Sequence, residues 1–142
     1  MDWQALWLSV KLSCFTVVLL IPLAILVGRA LAYRQFKGKS WLEALIMVPL
    51  VLPPTVIGYY LLVGLGNQSM IGQWFEQLTG QQLVFHFSGL VIASIIVNIP
   101  FAVQPIQRAF ETIPIDIRDA AACCGMSRLR IFFRIELPMI WP

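Results

Sequence analysis

From Lys11 to Arg29 the chain places no charged residue between the two ends of the run. Extended back over Trp7 to Val10, this stretch makes a first span over about residues 7–28. Roughly 20 apolar residues are what a helix needs to cross the hydrocarbon core. In lipid such a segment has one stable form, because a helix is what satisfies its backbone polar groups internally. Lys11 lies near one end, where its stem can reach the headgroups, and Trp3 and Trp7 suit the interface. Pro22 predicts a kink. The run is too long for the apolar part of a signal peptide, and no small-residue cleavage site follows it. The same bias holds chain-wide: 59% of residues are hydrophobic and 12% charged, where a soluble domain has about a quarter charged. The fold class is all-α, a polytopic helical membrane protein with three complete spans and the start of a fourth.

The charges that remain set the topology. Arg29, Arg34, Lys37 and Lys39 crowd one short loop, which the positive-inside rule makes cytoplasmic, leaving the N-terminus extracytoplasmic. A basic run wedged between spans speaks for topology and against nucleic-acid contact. The second span covers about 41–65 and contains Pro49, Pro53, Pro54, Thr55 and Gly58. Each proline removes a backbone donor. A helix broken at membrane depth is tolerated where it is buried in protein or lines a cavity, so the stretch reads as a pathway or gate element or as a packing kink. Residues 66–88 contain no Lys or Arg, which fits the outside. There Ile71, Trp74, Phe75 and Leu78 recur at helical spacing and predict a short helix on the membrane surface. The single histidine, His86, reads as an interface residue. The third span, about 88–107, carries Asn98, Pro100 and Gln104. Amides inside a span face a neighbouring helix or water, so Asn98 either bonds another helix or offers an N–H to a translocating anion.

Residues 108–138 are amphipathic and rich in Arg108, Arg118, Arg128, Arg130 and Arg134, which again means cytoplasmic. Asp116 reads as an N-cap with Asp119 three residues on, a capping box with Asp in place of Glu. Ile117 to Cys124 would then form about two helical turns that Gly125 ends in the left-handed conformation. Ser127 would cap a second helix running through Phe132 and Phe133. Ala120, Ala121 and Ala122 give the first helix a flat surface that another protein can approach closely. Cys14, Cys123 and Cys124 make no disulfide framework, and no further ligand stands near the vicinal pair to complete a metal site.

The same stretch resembles a signature of the permease subunits of bacterial ABC importers: Glu-Ala-Ala, three residues, Gly, nine residues, Ile, one residue, Leu-Pro. Asp119, Ala120, Ala121, Gly125, Ile135, Leu137 and Pro138 stand at every spacing, with Asp for Glu as the one departure. Pro53-Pro54-Thr55, Phe85 to Leu90 and Asn98-Ile99-Pro100-Phe101 resemble the molybdate-type permeases, and more loosely those for sulfate and tungstate. The resemblance implies that 1–142 is one ABC-importer transmembrane domain, incomplete at its C-terminus, in the bacterial inner membrane. It implies a cytoplasmic coupling helix in 108–138 and a pathway role for Pro53, Pro54 and Thr55, with Asn98 still open between a pathway contact and a bond to another helix. The partners implied are an ATP-binding cassette subunit, an extracytoplasmic solute-binding protein and a second permease chain, as a homodimer. The chain itself would be a translocation subunit with no catalytic residue, metal or cofactor. No glycine-rich loop with Lys followed by Ser or Thr points to a nucleotide site. A channel or secondary transporter would also fit broken helices, but lacks the intramembrane charges that ion coupling requires.

Overall fold

The computed structural model describes residues 2–140, and the regular structure among them is all helical. Trp3–Tyr33 forms α1, 31 residues that continue through Pro22 and reach about 46 Å at 1.5 Å per residue. Lys39–Val51 is α2, Pro54–Leu65 is α3, Met70–Thr79 is α4 and Phe87–Glu111 is α5. α1 and α5 are long and apolar enough to cross a membrane, and α2 with α3 adds a third crossing if the bent pair is one span. Of the apolar run expected after Pro138, Trp141 and Pro142 lie outside the described residues.

The core lies where α1 packs on α5. Thr16, Leu20, Ala24, Gly28 and Leu31 are the buried residues of α1, one every three or four positions, so they make a single stripe. Ala24, Leu31 and Val103 form its centre, flanked by Val27, Ile46, Ile99, Ala102 and Ile106. The small residues in the stripe let the helices approach closely, as membrane helices commonly do. At Gly28 a Cβ would stand 3.0 Å from Ile106 Cγ2 and 3.1 Å from the Gln107 nitrogen. Phe15 meets Phe87 edge-on at 5.5 Å, and near the other end Tyr33 meets Phe110 at 5.8 Å. Low numbers pair with low and high with high, so α1 and α5 run parallel. Outside the stripe α1 exposes Val17, Val18, Leu19 and Leu26, a surface suited to lipid or to further protein.

The expected break in the second apolar stretch falls at Leu52 and Pro53, where the axis turns by 112° between α2 and α3. The cause is local. A residue that precedes proline is pushed out of the helical region, and here two do so in succession. Leu52 sits at φ −75°, ψ 141° and Pro53 at φ −58°, ψ 144°. Pro54 then occupies the first turn of α3, where its missing N–H costs nothing. α4 is a short helix where the spacing predicts one. Ser69 caps it by accepting from the Gly72 N–H at 2.9 Å, and Ile71, Trp74 and Leu78 are exposed.

Candidate functional site

After α5 the chain turns through Thr112 and buried Ile113 into α6, Ile115–Cys123. The helix starts two residues earlier than the sequence suggests. Its N-cap position is Pro114, and no side chain caps it. Asp116 lies inside the first turn, where it can still oppose the helix dipole, and Asp119 is an exposed mid-helix residue with no cap to complete. The capping-box reading is therefore corrected. Pro114 has no N–H to satisfy and a fixed φ that suits the entry to a helix, so the helix begins beside it and Asp116 is carried past the cap.

At the other end of α6, Gly125 has φ +78°. Its N–H donates to the Ala122 carbonyl at 3.0 Å and the Met126 N–H to the Ala121 carbonyl at 3.3 Å. This pair of bonds is a Schellman turn. Ser127 then caps the next helix by accepting from the Arg130 N–H at 3.3 Å. That helix is α7, Arg128–Ile131, continued by a π-helical turn, Phe132–Glu136, and by α8, Leu137–Ile140. Asp119, Ala120, Ala122, Cys123, Cys124 and Gly125 are exposed and Ala121 is buried, so two of the three alanines lie on the outer surface. Ile135 and Leu137 are half-buried and Pro138 is exposed. The motif thus divides into an exposed helix and turn and a partly covered segment that returns toward the spans.

What covers that returning segment is an ion cluster that sequence reasoning missed. Glu136 is fully buried. Its Oε2 accepts from Arg29 Nε at 2.6 Å, and its Oε1 accepts from Arg118 Nε at 2.9 Å and from Arg29 Nη2 at 3.3 Å. The Arg118 guanidinium stacks 3.6 Å over the Tyr33 ring, and that of Arg29 sits 5.4 Å from the Phe132 ring. Tyr33 Oη donates to the Phe110 carbonyl at 3.2 Å. In the sequence Glu136 is the spacer between Ile135 and Leu137. The available signal is a lone acid in an apolar stretch, where a carboxylate is stable only if paired.

The pathway residues do not converge. Pro53, Pro54 and Thr55 are exposed at the corner between α2 and α3. Asn98 lines a separate cleft of about 380 Å³ between α1 and α5, with Ser13, Thr16, Ser94 and Phe101 among its walls. One N–H of Asn98 donates to the Ser94 carbonyl of its own helix at 2.7 Å. That bond lies within α5 and uses one of the two amide hydrogens. At the cytoplasm-assigned end, Gln107 donates to Glu43 at 2.8 Å and to Glu111 at 3.2 Å, which ties α5 to α2.

A family model described as binding-protein-dependent transport system inner membrane component matches residues 21–142. The molybdenum transport system permease protein ModB of Escherichia coli (strain K12) is 36% identical over 141 residues, 99% of this chain and 62% of that protein. The ModB protein of Haemophilus influenzae is 39% identical over 142 residues, 100% of this chain and 62% of its own. A probable sulfate transport system permease protein, cysT of Chlorella vulgaris, is 30% identical over 139 residues, 98% of this chain and 52% of its own. The chain therefore spans about three fifths of the length of the ModB relatives.

Proposed function

Since the chain belongs to the family of binding-protein-dependent transport system inner membrane components, we propose that it supplies spans of the permease subunit of an ATP-driven oxyanion importer, with molybdate as the substrate. The observation that carries the importer reading is the exposed α6 with its Schellman turn at Gly125, set among surface arginines. A short helix so bounded is a docking element: its outer face is free of the spans, and its end is held in one direction. The partner is an ATP-binding cassette subunit, against which Asp119, Ala120 and Gly125 would lie. Ile135, Leu137 and Pro138 would lead the chain back toward the membrane. The choice of molybdate rests on the ModB relatives, whose identity is higher than that of the sulfate permease relative.

The parallel packing of α1 on α5 supports a topology with both N-terminal ends on one side, and the basic loops favour the outside for that side. The end of α1 and the start of α5 then lie on opposite faces, and the bent pair α2 and α3 is the apolar segment that can cross back. α4 would lie outside, toward a solute-binding protein. The corner at Pro53, Pro54 and Thr55 would face a pathway shared with a second permease chain, and Asn98 would line it from the separate cleft between α1 and α5. The test uses the full-length permease reconstituted in proteoliposomes with its ATPase and binding protein. Radiolabelled molybdate should accumulate only with ATP inside and binding protein outside, and excess tungstate should compete better than sulfate. Accumulation without the ATPase would replace this reading with a channel or secondary transporter.

A further inference from the structure

Among the described residues Glu136 is the one fully buried carboxylate, and its partners come from two other elements. Arg29 belongs to α1 and lies 107 positions away in the chain, while Arg118 belongs to α6 and lies 18 away. A carboxylate withdrawn from water is stable only with close, hydrogen-bonded counter-charges, and the two guanidiniums provide them, meeting at the shared Oε1. Both are steadied by aromatic faces, Arg118 by Tyr33 and Arg29 by Phe132. The π turn sets the place of Glu136: the Leu137 N–H reaches back to the Phe132 carbonyl, a wider turn than the α-helix makes. Such turns occur as isolated bulges, frequently at functional sites.

α6 has little else to hold it to the spans. Ala121 is its one buried residue, and the small Ala side chain gives a weak apolar anchor. Two side-chain ties run from α6 to α1: the Arg118–Tyr33 stack and the ionic path Arg118, Glu136, Arg29 through the π turn. We infer that this ion cluster is the joint through which a displacement of α6 is passed to α1, with Glu136 as its positioning residue. The inference rests on the importer reading above and adds to it. The docking face alone would let α6 move without moving a span, whereas a buried carboxylate bonded to an arginine of each helix makes the two move as one.

The test compares wild type, Glu136→Gln and Arg118→Gln in the full-length permease, reconstituted with its ATPase and binding protein. Molybdate uptake and ATP hydrolysis are measured on the same vesicles. Glu136→Gln keeps the size of the side chain but removes the charge that both arginines grip. The expected result is a complex that assembles and hydrolyses ATP, with molybdate transported per ATP reduced about tenfold. Should Glu136→Gln fail to assemble, Arg118→Gln leaves Glu136 paired with Arg29 and carries the same expectation. An unchanged ratio, or uptake and hydrolysis falling in proportion, would overturn the joint while leaving the importer intact. Absence of ATP-driven uptake in wild type would instead overturn the importer reading and the joint with it.

Discussion

Gly125 shows how one backbone angle can matter more than any side chain near it. A Cβ built at this position meets no atom within 4 Å, so the demand for glycine there is conformational and not steric. With φ at +78°, a β-branched residue is strained by about 1–2 kcal/mol, enough to unwind the Schellman turn or swing α6 away from its direction. Asn tolerates this region far better. Gly125→Val should therefore keep the permease in the membrane but lose ATPase pull-down and substrate-stimulated hydrolysis, while Gly125→Asn should retain both. Equal, normal coupling in the two variants would reduce α6 to a connector. This residue was legible in the sequence, because a glycine after a run of small helix formers has few other uses. Glu136 was not, because its partner Arg29 stands 107 positions away and no local pattern announces the pairing. Arg29 and Arg118 read from sequence as topology signals, and the fold gives both a second task.

The helices themselves were written plainly in apolar periodicity, and the break between α2 and α3 in the chemistry of consecutive prolines. The start of α6 was less legible. A favourable cap at Asp116 competed with a proline two residues earlier, and the proline won because its fixed φ already admits a helix. At the 112° corner consecutive prolines give the bend its local cause. Replacing both, Pro53→Ala with Pro54→Ala, lifts the restriction on Leu52 and on position 53. A continuous helix over 39–65 would be about 40 Å long. Spin labels at exposed positions 45 and 62 should then move farther apart, and molybdate uptake should fall while membrane insertion persists. If the labels separate and uptake is unchanged, the corner is a packing feature and not part of a pathway.

For the molecule as a whole, the parallel contact of α1 and α5 puts their N-terminal ends on one face, and the arginine- and lysine-rich loops predict which compartment that face meets. In a chain whose exposed cysteines Cys14, Cys123 and Cys124 are replaced by serine, Gln77→Cys should react with an impermeant maleimide added outside intact cells. Lys37→Cys and Arg130→Cys should react only after permeabilisation. Labelling of position 37 or 130 from outside, with position 77 protected, would invert the arrangement. The Arg29–Glu136 pair also imposes an order in time. A ribosome adding about 5–20 residues per second needs about 5–20 s to travel the 107 positions between them. During that interval α1 is already made and its arginine is without Glu136, the carboxylate that it holds in the fold. The nascent chain must hold Arg29 at the headgroups, where a long cationic side chain rests at small cost, and draw it inward only when the returning segment is synthesised. The joint between α1 and the returning segment is thus made by a late electrostatic closure, long after the first helix has been inserted.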